Sequence, residues 1–473
     1  MTRTGAIARL KDTVGPNGWT DDPHDIAPHL SEGRGLFHGD TALLLRPNST
    51  GQVADIVAVC AKAQIGIVPQ GGNTGLCGGA VPRAGQGEIV LSLARMNRIR
   101  AIDAANFTLV AEAGCILADL QAAAENADRL FPLSLGAEGS CMIGGNLSTD
   151  AGGVGVLRYG TARELVLGLE VVLPDGRVWD GLRALRKDAT GYDLKHLFIG
   201  AEGTLGVITA AVLKLFPRPR QQETALIGLA SVEAAVALLA LARTYSGDAV
   251  SAFELLPRIG LEFARRHFTD VPNPLANKHA WYVLVELTSS RTGQDLRPLL
   301  EGLLAQALDC GLIEDATLAA NTTQTRALWR LREVMPEAQR FEGASIKHDI
   351  SVPVSAIPAF IANAGAALAK AVPGSRLVAF GHIGDGNVHF NLSQPEGANP
   401  EAFLARWDEI TRKVHDIAVA MGGSISAEHG IGQLKIAELE RLRAPLELEL
   451  MRRIKETLDP TGIMNPGKLL RQV

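Results

Sequence analysis

Three glycine-rich stretches, each set against an apolar segment, constrain this chain more than any other feature. PQGGNTGLCGGAVP (69–82) follows the apolar run IGIV (65–68). LGAEGSCMIGGNLSTDAGGVGVLRYG (135–160) is crowded with glycine, and GAEGTLGVIT (200–209) repeats its Gly-Ala-Glu-Gly opening. Glycine lets the backbone approach a ligand and turn its N–H groups outward, and such nests suit phosphate oxygens. The first is neither a G-x-x-x-x-G-K-[ST] loop nor a G-x-G-x-x-G turn opening a helix. One such loop is ordinarily a set of tight turns. Three beside strands imply one long ligand in extended contact with backbone.

The rest of the composition narrows the class. At 473 residues the chain exceeds one compact core, so two domains and room for a third are expected. Hydrophobic residues at 47% and charged residues at 21% describe a soluble globular protein. A net charge of −5 argues against a nucleic-acid surface. Five cysteines (Cys60, Cys77, Cys115, Cys141, Cys310) without a C-x-x-C pair argue against a disulfide framework or thiolate zinc site. The first twenty residues lack a signal peptide's apolar core, and the longest apolar run, AAVALLALA (234–242), is too short to span a bilayer. No transmembrane segment and a cytoplasmic location are therefore expected.

Residues 41–72 read as strand, helix capped at Ser49 or Thr50, strand and glycine turn, with Val53, Ile56, Val57 and Cys60 on the buried helix face. Segments 88–97 and 106–115 read as strands, 116–127 as a helix, and 167–179 as a hairpin across Pro174-Asp175-Gly176. PRPR (217–220) has the proline of a linker. Beyond it, helical stretches alternate with isolated strands. The expected division is 1–220, 221–425 and 426–473.

PQGGNTGL, EGSCMIGGNLSTDAGG and GAEGTLGVIT closely resemble the FAD-binding domain of the vanillyl-alcohol oxidase and p-cresol methylhydroxylase flavoprotein superfamily. DPTGIMNPGKLL (459–470) resembles that superfamily's C-terminal return to the flavin domain. The resemblance implies an α+β fold: a two-subdomain FAD-binding domain of the p-cresol methylhydroxylase (PCMH) type, plus a substrate domain with an antiparallel sheet flanked by helices. It implies that Pro69, Gln70, Gly71, Gly72, Asn73, Thr74, Gly75 and Leu76 wrap the pyrophosphate. Gly136, Gly139, Ser140, Ile143, Gly144, Gly145, Asn146, Thr149, Ala151, Gly152, Gly153 and Gly155 would line the adenosine and the ring's approach, with Gly203, Gly206, Val207 and Ile208. Glu428 and Asn465 would add flavin contacts. Members with covalent flavin often carry His in the first loop; Asn73 stands there instead, so non-covalent FAD is expected.

A second constellation lies in GHIGDGNVHF (381–390). Asp-Gly between extended segments signals a hairpin, and with Asp385 and Gly386 central, His382 would face His389 at roughly 5 Å between Cβ atoms. SISAEHGIGQLK (424–435) adds Glu428 and His429. Two imidazoles and a carboxylate suit a catalytic divalent ion, and Zn²⁺, Mn²⁺ and Co²⁺ all accept them. Asn391 shares the strand face of His389 and can donate to a substrate oxygen. GHIGDGNVHFNL and SAEHGIG resemble the subgroup that oxidises D-2-hydroxy acids: D-2-hydroxyglutarate, D-lactate and glycolate dehydrogenases. That resemblance implies a divalent metal, Zn²⁺ first, on His382, His389 and Glu428, with His429 as catalytic base and substrate contact.

WRLREVMPEAQRFEGASIKHDISVP (329–353) resembles the stretch that supplies substrate-carboxylate cations in D-2-hydroxyglutarate dehydrogenases, which points to Arg332 and Lys347. Pro336 stands where that group can offer a Thr. Two cations and a metal exceed what lactate needs, which favours D-2-hydroxyglutarate, with D-malate beside it. The expected reaction is hydride transfer from C2 to flavin N5. Without a nicotinamide fingerprint, a separate acceptor, an electron-transfer flavoprotein or a quinone, must empty the flavin. A D-lactate or glycolate dehydrogenase is the alternative, and a non-catalytic flavin-binding subunit a second. A homodimer is compatible with all of these.

Overall fold

The computed structural model describes residues 2–293 and 295–471. The chain divides into two compact units: residues 1–152, 160–218 and 428–473 form the first, and 153–159 with 219–427 the second.

In the first unit the capped-helix reading holds. Ser49 Oγ accepts from the Gln52 amide, and helix Thr50–Ala63 buries Val53, Ile56, Val57 and Cys60. That apolar face covers a small mixed sheet whose strands Leu44–Leu45, Ile89–Ser92 and Ile67–Gln70 run parallel. A five-stranded antiparallel sheet follows, in the order Ile99–Asp103, Thr108–Glu112, Val207–Lys214, Val166–Val172, Val178–Gly181. Its last pair is the hairpin expected across Asp175-Gly176. The C-terminal segment returns to the first sheet: the Ile67 amide donates to Ile463 O and the Asn465 amide to Ile67 O, each at 2.8 Å. Asp459 fixes the return by accepting from the Ile463 and Met464 amides.

The second unit holds two antiparallel sheets. One orders strands Val250–Pro257, Trp281–Ser289, Gln221–Leu229 and Asp315–Leu318; the other orders Ser345–Ser351, Asn387–Ser393 and Arg376–Phe380. Leu255 and Gly381 exchange backbone hydrogen bonds of 2.9 and 3.1 Å, joining the two sheets. Helices Val232–Ser246, Leu296–Asp309 and Ile357–Ala371 pack apolar faces into one core with Phe253, Val285, Ile346 and Phe390. Val354–Ala371 is long and apolar enough, by length and composition, to cross a membrane, whereas the longest apolar run in the sequence suggested no such segment. Its face Ile357, Phe360, Ile361, Ala364 and Leu368 is buried in that core.

The hairpin expectation needs correction. His389 is paired with Phe380 and Asp349, not with His382. Because Gly381 turns away to pair with Leu255, residues 381–386 form a six-residue connection closed by the Asn387 amide on His382 O. Asp385 Oδ1 accepts from the Asn387 amide, and a Cβ on Gly386 would lie 2.4 Å from Val352 O. The two imidazoles nonetheless come within 5.5 Å, centroid to centroid.

Lys468 in the C-terminal return is fully buried, 3.6 Å from Glu88 Oε2. Burial pushes its ammonium down to about 8, against the pull of Glu88. A lysine with a lowered folded-state pKa costs stability wherever it is charged in the folded protein, and that cost disappears as pH rises toward the unfolded value. Stability should therefore rise between pH 8 and 10.5. Lys468→Met should flatten that part of the pH–stability profile, read from urea midpoints at each pH.

Candidate active site

The three glycine loops meet within the first unit. A Cβ on Gly72 would lie 2.1 Å from Ser140 O, and one on Gly71 3.3 Å from Met142 Cβ, so the first loop lies directly on the second. Gly203, at φ +71°, rests on Pro69, which brings in the third loop. Gly144 presses on Ala113, whereas Gly75, Gly136, Gly139 and Gly145 face open space. Gly206 is tight against Val171, in the bend that starts the buried strand holding Val207 and Ile208.

Side chains brace this arrangement. Gln70 donates to His29 O and Ala80 O, and Asn73, at φ +53°, donates to Pro28 O and Ser31 O. Helix Ile143–Thr149 carries Ile143, Gly144, Gly145, Asn146 and Thr149; the Thr149 hydroxyl donates back to Gly145 O. Asn465 donates to Gly79 O and Glu202 O, tying the C-terminal return to the first and third loops. Among the described residues, Asn73, Asn146 and Asn465 each bury an Oδ1 that no donor reaches. Orphaned buried acceptors are rare in folded proteins. These three suit a ligand with N–H and O–H donors, as a flavin ring and its ribityl chain provide.

Glu202, absent from the residues singled out by sequence, sits beside them at φ +52°. Its carboxylate accepts from the Ile431 and Gly432 amides at 2.7 Å each. Burial raises its pKa, against those two amides. It thereby fixes the loop that carries Glu428 and His429, whose Glu428 Oε1 and His429 Nε2 are 3.8 Å apart. The signal was present: Glu202 is the lone carboxylate of GAEGTLG.

In the second unit, register gathers the other candidates. Asn391 is directly opposite Lys347, and His389 opposite Asp349, so these four share one sheet face, with Val378 and Phe380 from the third strand. The opposite face, with Ile346, Ile350, Val388, Phe390 and Leu392, enters the core. Asn391 is buried and donates to Gln339 Oε1 at 2.9 Å. Asp349 Oδ1 is 3.8 Å from His389 Nδ1 and accepts from Asn387. The Ala427 amide donates to Asp349 O at 3.3 Å, and Glu428 and His429 follow Ala427 directly in the chain. Gly153 and Gly155 also belong to this unit.

Arg332 lies in the last turn of helix Thr322–Glu333, its guanidinium carbon 4.8 Å from the Phe380 ring centroid. Phe380 in turn is 5.1 Å from the His389 ring. Pro336 sits in the first turn of the next helix, Met335–Phe341, where a missing N–H costs nothing. The residue that sequence reading missed here is Glu254. It is fully buried in strand Val250–Pro257 and binds two candidates at once: Oε2 accepts from Arg332 Nε at 2.7 Å, and Oε1 contacts His382 Nδ1. Burial alone would push its carboxyl up; His382 and Arg332 outweigh that and hold it at about 2. A lone charge in an otherwise apolar strand, SAFELLP, was the available clue.

Known proteins match this chain along nearly its whole length. The family described as FAD binding domain matches residues 41–181, and FAD linked oxidases, C-terminal domain, matches 218–469. The chain is 39% identical over 465 residues to the mitochondrial D-2-hydroxyglutarate dehydrogenase of Bos taurus, covering 98% of this chain and 83% of that protein. It is 37% identical to the Arabidopsis thaliana mitochondrial protein of that name (98% and 81%), and 38% identical to the D-2-hydroxyglutarate dehydrogenase of Xanthomonas citri pv. viticola (98% and 96%). Among solved structures, p-cresol methylhydroxylase with substrate bound superposes at a TM-score of 0.78 and 17% identity, over 98% of this chain and 96% of that one. The fold is thus the PCMH type. The expected cytoplasmic location is overturned: the plant and animal relatives are named as mitochondrial enzymes.

The contact between loops gives a test. Gly72→Ala would drive a methyl group into Ser140 O. The purified variant should lose most of its flavin, measured as the ratio of visible to 280 nm absorbance. Full flavin content would show that the loops do not need this close approach.

Proposed function

The chain belongs to the FAD-linked oxidase family, in the branch of the D-2-hydroxyglutarate dehydrogenases, and from that premise we propose that it oxidises D-2-hydroxyglutarate, and D-malate beside it, to the 2-oxo acid. The observation that carries this reading is the polar sheet face of Lys347, His389 and Asn391, with Arg332 stacked over Phe380 in the same unit. Arg332 offers a fork for one carboxylate, Lys347 a point charge for another, and Asn391 an amide for an oxygen between them. A monocarboxylate could engage only one of these two groups at a time.

When bound, FAD supplies the hydride acceptor, N5 of its ring. Pro69 to Leu76, Gly136 to Gly155, Gly203 to Ile208, Glu428 and Asn465 are proposed to hold it non-covalently; Asn73 has no nucleophile to attach it. Residues 1–220 with 426–473 then form the flavin-binding part, and 221–425 the substrate part. His382, His389 and Glu428 are proposed to hold a divalent ion, Zn²⁺ first. That ion would supply Lewis acidity toward the 2-hydroxyl and its neighbouring carboxylate. His382 fits the role because Glu254 takes its Nδ1, and a carboxylate at that nitrogen favours the tautomer that ligates through Nε2. His429 would accept the hydroxyl proton, since imidazole titrates near neutral pH and Glu428 lies beside it. Reduced flavin would pass its electrons to a separate electron-transfer flavoprotein or quinone.

Steady-state kinetics with a dye acceptor tests the reading. The yellow protein should bleach anaerobically with D-2-hydroxyglutarate, with kcat/KM above that for D-lactate; the reverse order would move the chain to the lactate reading. A chelator should abolish turnover, and turnover that survives it would remove the ligand roles. His429→Ala should lower kcat by about 10²–10⁴ with flavin content retained.

A further inference from the structure

We propose that Glu254 is a positioning residue whose single carboxylate fixes His382 as a metal ligand and Arg332 as a carboxylate reader at the same time; this rests on the functional reading above. All eight residues of strand Val250–Pro257 are buried, and Glu254 is its one charged side chain. A carboxylate without solvent needs full compensation from its partners. Glu254 finds it by giving one oxygen to each: Oε1 to His382 Nδ1 and Oε2 to Arg332 Nε.

Each contact has its own consequence. An acceptor at Nδ1 keeps the proton there, which sets the tautomer whose Nε2 can bind a cation. An acceptor at Nε pins the guanidinium plane, so that its outer edge is presented from above Phe380. Phe380 lies between Arg332 and His389, and the His389 ring packs on that of His382. Arg332, Phe380, His389 and His382 therefore form a chain of contacts whose two ends Glu254 joins. The backbone places it there, because Leu255 pairs with Gly381, the residue before His382.

Replacement separates this role from simple filling of space. In Glu254→Gln the amide can accept from only one partner. Its NH₂ group either faces Arg332, donor against donor, or faces His382 Nδ1, which moves the ring proton to Nε2 and blocks that nitrogen. Glu254→Asp keeps both acceptors but is one methylene short of reaching both partners.

The test uses the flavin-loaded full chain, with Zn²⁺ affinity measured by competition against a chromophoric chelator and KM measured for D-2-hydroxyglutarate. Glu254→Gln should weaken Zn²⁺ binding by about 10–100-fold and raise KM, with flavin content and circular dichroism unchanged; Glu254→Asp should fall between it and wild type. A merely structural role would lower the unfolding temperature and leave the Zn²⁺ Kd of the folded protein unmoved. Zn²⁺ Kd and KM within about twofold of wild type in a folded Glu254→Gln variant would overturn the proposal, since an orienting partner of a ligand is worth more than that. So would failure of both variants to fold, because the carboxylate would then serve the core and not the site. Wild-type protein that neither binds Zn²⁺ nor oxidises the substrate would remove the functional reading itself, and this proposal with it.

Discussion

Two backbone hydrogen bonds between Leu255 and Gly381 govern much of the second unit. They stitch a four-stranded sheet to a three-stranded one and draw the chain out of the expected hairpin after Phe380. They also set Glu254 beside His382. Removing one partner from a buried charged set costs about 3–5 kcal/mol, because the remaining charge is left uncompensated. The Arg332–Glu254–His382 arrangement is therefore strongly specified once the sheets are joined. Its members are distant in sequence: Glu254 and His382 are 128 residues apart.

The first unit meets a comparable constraint with backbone. Its glycine loops pack against one another where no Cβ fits, and the C-terminal segment closes them by pairing with strand Ile67–Gln70. Lys455 strengthens that closure, donating to Thr204 O and Met464 O while paired with Asp459. The result is a set of loops held from behind by side chains, with three buried asparagine oxygens that no donor reaches among the described residues.

What could be read from the chain divides along physical lines. Local signals were reliable: the Ser49 cap and the Val53, Ile56, Val57, Cys60 face follow from nearest-neighbour chemistry, as does the Asp175-Gly176 hairpin. Asp385-Gly386 misled because a similar dipeptide lies in a loop whose path is set by Leu255, far away in sequence. The motif-bearing candidates His382, His389, Lys347, Asn391 and Arg332 all fall in one unit, and register relates three of them directly. Glu254 and Glu202 act through burial, which a motif does not encode; only an acid in an apolar strand or between glycines hinted at them.

Glu254 also changes the charge argument for the substrate. Counting Arg332 and Lys347 as two free cations overstates the positive field, because Glu254 neutralises Arg332 in the protein. Arg332 then contributes geometry more than charge: a fork held in place by a buried carboxylate, in a medium where each hydrogen bond is stronger than in water. A neutralised arginine discriminates by requiring a second carboxylate at a fixed distance and angle, and a loose basic pocket would accept any anion. In the proposed role, preference for a dicarboxylic acid would rest on the rigidity of Arg332, which its bond to Glu254 in strand Val250–Pro257 supplies.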